Sequence, residues 1–435
     1  MNSFIRWMVV IVSISLAASA SAQGYSANRA APVPLPNNAF VQHADRSVLG
    51  EDLAHYIFDV RVGPGKFDMI RLHRIVRERS AYRPIQTVNG VLLLPGSPNY
   101  FEAIFMTPTV SQALPPDHDI VVYLAAHNID VWGMDYAWSL VPADTTDFTF
   151  MKNWGMAKDI QHVQIALYLA RLLRATTGQG GGPIEVLGFS YGGSMAYPLA
   201  GAESQMPRGL RSIKGMVILD VGMKLKEQAD RDVYCSFAAA DQANLDAGIY
   251  NDDTGLFLKL LSDLAISAPN DPSDNLSGMT NYQAALFFGT STELLNGQFW
   301  HFIGGHLDEY GIPSHLRYSE DRGWIDLLGN IPPHFPWRAD LDTDTMFCGK
   351  GKSPFTEHLG QITIPILFAG AAGGFGEKGF YTTTLTASTD VTKLIVQLQS
   401  DDLRQQDFGH VDTLFATHAE TLVWQPILDW LRAHR

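Results

Sequence analysis

Apolar and polar positions change period several times along the chain. "HYIFDVRV", from His55, and "FDMIRLHRIVRE", from Phe67, carry the pattern of strands, and Gly63-Pro64-Gly65 between them predicts a hairpin. Val91 to Leu94 is a short apolar run opening into Pro95-Gly96-Ser97-Pro98, which reads as a buried strand followed by a loop. "PPDHDIVVYLAAHN" predicts a helix begun after Pro116, and "IDVWGMDY" another strand with a loop at its end. "AKDIQHVQIALYLARLLRATTG" places apolar residues at helical spacing and stops at Gly178. A further strand covers Ile184 to Leu187, a helical segment follows Ser190, and "GMVILDVG" is a strand ending at Asp220. The alternation breaks off after about Gly222, and residues 222–361 read as irregular and aromatic. It returns with "ITIPILFAGAAGG", "DVTKLIVQLQ" and a last helix in "PILDWLRAHR", which Pro426 can open without losing a hydrogen bond.

Short apolar strands alternating with amphipathic helices predict an α/β fold: a mostly parallel central sheet with helices on both faces. That domain comprises residues 40–221 and 362–435, with residues 222–361 inserted between them. The length, 435 residues, and a composition of 46% hydrophobic and 17% charged residues suit a large globular chain.

The N-terminus follows a different logic. Arg6 precedes an apolar run from Trp7 to about Ala18, and Ala20-Ser21-Ala22 supplies a cleavage signal. Residues 1–22 therefore read as a secretory signal peptide, and the run is too short and serine-rich for a membrane anchor. Residues 23–39 are proline-rich and polar, an extended leader. Loss of residues 1–22, whose one charged residue is Arg6, takes the formal net charge from −14 to −15. Such a surface repels nucleic acid and anionic membrane and accepts a neutral substrate more readily than a polyanion. After export, Cys235 and Cys348 would meet an oxidising compartment, where a disulfide and two buried thiols are both open readings. The chain does not constrain oligomeric state.

The candidate chemistry starts at Gly188-Phe189-Ser190-Tyr191-Gly192, a G-x-S-x-G between a strand and a helix. A sharp turn there would expose the Ser190 hydroxyl, and bulk at either glycine would collide with the adjoining elements. A serine nucleophile needs a base. His410, in "QDFGHVDTLF" after the strand "KLIVQLQ", lies where a loop could bring an imidazole to the same sheet edge.

These parts resemble the α/β-hydrolase fold. The elbow "GFSYGG", the "PGSP" loop, "DVWGMDY" and "GHVD" carry the resemblance, which covers the sheet domain and not the insertion. The resemblance implies a cap in residues 222–361 and a serine-acid-histidine order along the chain. It implies an oxyanion hole made by the backbone N–H groups of Tyr191 and Ser97, since Pro98 has none. Pro95 stands where the family often has histidine. The acid has two candidates. Asp220 ends a strand at the expected edge, and Glu377 lies later, among glycines in "FAGAAGGFGEKG". Asp220 is preferred because a strand end holds a carboxylate more rigidly than a glycine loop. Peptide or amide cleavage would use the same groups as ester cleavage. A non-catalytic binding protein on the same scaffold is the alternative of another class. The expected activity is that of a secreted or periplasmic serine hydrolase on a neutral, hydrophobic small-molecule ester, with no metal or organic cofactor.

Other patterns point less far. "DLDTDT", Asp340 to Thr345, alternates carboxylates like part of a calcium loop but lacks the glycine and distal glutamate, and reads as a solvated loop. His301 and His306 read as cap residues. Trp132 and Asp135 read as packing and loop-ordering residues. Phe299, Trp300, Phe302, Trp324, Phe335 and Trp337 suggest an aromatic-lined pocket.

Overall fold

The computed structural model describes residues 39–50, 52–292, 300–351 and 353–435. The expected signal peptide, nearly all of the leader and Phe299 lie outside them.

The sheet begins with β1 (Phe40–Val48), β2 (Leu53–Arg61), β3 (Met69–Ser80) and the two-residue β4 (Arg83–Pro84). Next come β5 (Asn89–Leu94), β6 (Ile129–Asp135), β7 (Ile184–Phe189) and β8 (Ile213–Leu219). Four short strands of the insertion follow: β9 (Asn251–Asp252), β10 (Gly305–Leu307), β11 (Pro313–Leu316) and β12 (Phe335–Pro336). β13 (Ile366–Ala371) and β14 (Val391–Val396) complete the main sheet, whose order is β1-β2-β3-β6-β5-β7-β8-β13-β14, with β4 on β3. β1, β2 and β3 form an antiparallel meander, β3 pairs antiparallel with β6, and every pairing from β6 to β14 along that order is parallel.

The strand pattern explains the layers. β5, β6, β7 and β13 are buried at every residue, as strands covered on both faces must be. Successive side chains go to opposite faces. Leu92, Leu94, Val186 and Ile218 join one apolar core, while Val91, Leu93, Leu187 and Val217 join the other. The helix expected after Pro116 starts later, at Ile120, because Asp119 accepts the Val121 and Val122 N–H groups at 2.8 and 3.0 Å and is the better cap.

The irregular reading of residues 222–361 is corrected. Among the described residues this segment holds helices Gln228–Asp246, Thr254–Ser267, Asn281–Thr290, Asp321–Gly329 and Trp337–Cys348. Thr280 and Gln283 form a reciprocal capping box, and Trp337–Cys348 stops at Gly349 with φ 67°. "DLDTDT" is thus helical, not a solvated loop. Asp342 is buried; its Oδ2 accepts the Met156 N–H at 3.0 Å and caps the core helix Met156–Thr176. Cys235 and Cys348 are joined in a disulfide that ties the first of these helices to the last. Among the described residues no helix is long and apolar enough to cross a membrane.

Candidate active site

Ser190 occupies the turn between β7 and the helix Tyr191–Ser204, with φ 53° and ψ −123°. The surrounding glycines are there for space. A Cβ on Gly188 would stand 2.4 Å from the Gly192 carbonyl oxygen, and one on Gly192 would stand 2.2 Å from that of Leu94. The turn is strained and half-buried, and its neighbours hold it there.

His410 arrives from the loop after β14. Its ring stacks on Phe189, the residue before Ser190, at 4.5 Å and 26°. Trp300, Phe302 and Phe375 surround it at 5.4, 6.4 and 5.8 Å. His410 Nδ1 lies 2.8 Å from Asp220 Oδ2, and both side chains are buried. His410 Nε2 is buried and has no hydrogen-bond partner among the described residues. No Ser190–His410 hydrogen bond is formed, a common state of such pairs without substrate.

The histidine loop is pinned by Asp412. Its Oδ2 accepts the Gly409 and Gly304 N–H groups, each at 2.7 Å, and its Oδ1 accepts the Ser319 hydroxyl at 2.7 Å. Burial pushes this carboxyl up to about 7. His410 N–H donates to His301 at 3.2 Å and Val411 N–H to Phe302 at 2.6 Å, so the insertion is stitched directly to the loop.

Asp220 follows β8 with φ 48°. Its oxygens accept the N–H groups of Ala371 at 2.9 Å, Gly376 at 2.9 Å and Phe375 at 3.1 Å, besides facing His410. A Cβ on Gly374 would stand 2.0 Å from Asp220 Oδ2. The glycines of "GAAGGFG" therefore wrap the carboxylate. Glu377 is brought to Lys393 instead, at 2.5 Å on the surface, and not to His410.

The loop after β5 passes over Ser190. A Cβ on Gly96 would stand 2.7 Å from Ser190 Cβ, and Ser97 follows, half-buried. Tyr191 turns its side chain inward, where its hydroxyl donates to Asp159 at 2.7 Å and its ring meets Tyr136 and Phe335. Only its backbone belongs to the elbow. Trp300 and Phe375 also wall a cavity of about 120 Å³ with Leu225, Tyr234 and Ile395. Trp324 lies inside the insertion, donating to the Ala285 carbonyl at 2.9 Å.

His55, His73 and Glu102 are the group among the described residues close enough to share a metal ion. They do not fit one. The two ring centroids are 5.2 Å apart and His55 Nε2 is 2.9 Å from His73 Nδ1, so the nitrogens lie almost on the line joining the rings. A proton fits there; a metal needs about 2.0–2.1 Å to each nitrogen, about 4 Å in line. Burial and the adjacent His73 push His55 down to about 3, which keeps it neutral.

Several of these groups leave little trace in the sequence. The Gly374–Gly376 cradle works through backbone N–H groups, and Asp412 is visible only as the last letter of "GHVD". No family model and no curated protein matches the chain. A solved structure described as "a putative lipase from Sulfolobus solfataricus" has TM-score 0.63 and 19% identity, over 91% of this chain and 100% of its own. A monoacylglycerol lipase from Paleococcus ferrophilus has TM-score 0.40 and 9% identity over 80% and 96%. A proline iminopeptidase from Mycobacterium smegmatis has TM-score 0.40 and 11% identity over 90% and 98%. The first similarity carries the architecture; the other two are too loose to add to it.

Proposed function

We propose that this chain, which has the α/β-hydrolase fold, is an exported serine hydrolase cleaving a carboxylic ester of a neutral, hydrophobic substrate. The observation that carries the reading is the buried Nε2 of His410, unpartnered among the described residues, in a ring that stacks on Phe189, the residue before the strained Ser190, while Nδ1 is held by Asp220. Nε2 takes the Ser190 proton as Oγ attacks the carbonyl carbon. The oxyanion is met by the N–H groups of Tyr191 and Ser97. The imidazolium, stabilised by Asp220, returns the proton to the departing alcohol, leaving an acyl-enzyme. Water gives a proton to Nε2 as its oxygen attacks the acyl carbon; the bond from that carbon to Oγ then breaks, Nε2 returns the proton to Ser190 Oγ, and the acid leaves.

A disulfide suits export, and rings beside His410 suit an apolar substrate. The test is turnover of matched chromogenic ester and anilide panels by the secreted protein. Bulky hydrophobic esters should turn over fastest, short acetates more slowly and anilides least, and Ser190→Ala should abolish turnover. Equal turnover by Ser190→Ala, or no turnover of any ester, would contradict the reading.

A further inference from the structure

The loop over Ser190 is held at both ends by consecutive residues at the end of β6. Tyr136 Oη donates to the Pro95 carbonyl at 3.3 Å, at the start of the loop. Asp135 Oδ1 accepts the Phe101 N–H at 2.7 Å, at its finish. The Phe101 ring is clamped as well. It lies across Gly133, where a Cβ would stand 2.0 Å from it, and against the His73 ring at 4.6 Å.

A buried polar chain backs this clamp. Asp135 Oδ2 is 3.1 Å from His73 Nε2, and His73 Nδ1 is 2.9 Å from His55 Nε2. His55 Nδ1 faces Glu102 Oε1 at 3.9 Å, next to Phe101, so the chain closes around one end of the loop. Buried polar groups cost free energy that apolar residues on β2 and β3 would avoid, and a partly satisfied chain is worse than none. Here each link from Asp135 to His55 is made, and its outcome is one fixed backbone amide.

We infer that Asp135, backed by His73 and His55, is a positioning residue that holds Phe101 and so keeps the oxyanion loop over Ser190. The inference rests on the reading of Ser190 as the nucleophile. Asp135 touches neither Ser190 nor substrate. An oxyanion donor must lie about 2.7–3.1 Å from the developing charge, so a loop loosened by about 1 Å loses most of its effect.

Asp135→Ala removes the clamp. Asp135→Asn keeps it: the amide oxygen still accepts from Phe101, and the NH2 faces His73 Nε2 once both imidazoles switch tautomer, leaving a proton on His55 Nδ1 toward Glu102. In Asp135→Ala, assayed well below its melting temperature, kcat should fall roughly 10- to 100-fold, less than or near the loss of a whole donor. KM should stay within about threefold, since the interaction is made in the transition state. The inhibition constant of a phenylboronic acid, which forms a tetrahedral adduct on a reactive serine, should rise by the same factor. Asp135→Asn should stay within about threefold of wild type in all three. If Asp135→Ala does not fold, His73→Phe takes its place, with the same split at smaller size. Wild-type kcat and boronate binding in the clamp-less variant, or an Asn variant as impaired as Ala, would overturn the inference. If the wild-type chain shows no Ser190-dependent turnover, the proposed function fails instead. The clamp is then read by hydrogen exchange at the Phe101 amide, which should accelerate in Asp135→Ala and not in Asp135→Asn; equal exchange in both would overturn it.

Discussion

Two carboxylate–imidazole pairs stand at the same edge of the sheet. Asp220 and His410 meet at 2.8 Å just after β8, and Asp135 and His73 meet at 3.1 Å at the last residue of β6. All four side chains are buried. The difference lies at the other imidazole nitrogen. Among the described residues His410 Nε2 is unpartnered, and its ring lies on Phe189, the residue before Ser190; His73 Nδ1 is taken by His55 and its ring packs on Phe101. An Asp–His pair is therefore not in itself a catalytic signature. A free nitrogen beside a strained serine makes one pair a candidate base, while a fully occupied imidazole makes the other a clamp.

The comparison is broken most severely at Asp220. Asp220→Asn should lower kcat by roughly 10⁴-fold, because the amide presents the wrong partner to Nδ1. His73→Gln should cost far less, and equal losses in the two variants would erase the distinction. Gly374→Ala should come next. Its Cβ would stand 2.0 Å from Asp220 Oδ2, so the carboxylate must leave its place, and kcat should fall by roughly 10²-fold with the chain still folded. A wild-type rate would mean that the cradle is not needed.

The histidine loop of the first pair is stitched to the insertion, whereas Asp135 and His73 lie wholly within the sheet domain. Replacing both Cys235 and Cys348 by alanine should lower stability by about 2–5 kcal/mol in denaturant unfolding. An unchanged midpoint would show that packing alone holds the insertion.

A smaller effect is expected from pH. Asp412 under the histidine loop, Asp159 under Tyr191 and Asp119 at its helix cap are each pushed up to about 7 by burial. The unfolded value is about 3.9, so the native state binds more protons between about pH 4 and 7. The stability from these groups is fully present below that window and is lost as pH rises through it. Burial also pushes His55 and His162 down to about 3, which acts with the opposite sign below about pH 6.5. The carboxyl contribution is therefore read by difference: calorimetry should find that the wild type loses more melting temperature between pH 5.5 and 8.5 than Asp412→Asn does, and an equal loss would contradict the assignment. The smallest effect belongs to Glu377→Gln, whose exposed pairing with Lys393 predicts activity within about twofold of wild type.

The sheet was legible because its central strands are buried on both faces, which forces continuous apolar runs such as Val91 to Leu94. Ser190 was legible because a strained elbow excludes side chains at Gly188 and Gly192. The insertion's helices were not legible. The longest, Gln228–Asp246, buries only Asp241 and so lacks the apolar stripe that marks a core helix, and in "DLDTDT" the carboxylate Asp342 is buried because it caps another helix. His73 and Asp135 are 62 residues apart with no shared pattern, so their pairing depends on strand order alone.

The central claim is that Ser190 is the reactive serine. The direct measurement is intact and peptide mass spectrometry after a fluorophosphonate, on the wild-type chain and on Ser190→Ala. One adduct, on the peptide containing Ser190 and missing from the variant, is the predicted result. An adduct on any other residue, or no adduct on a folded chain, would contradict it.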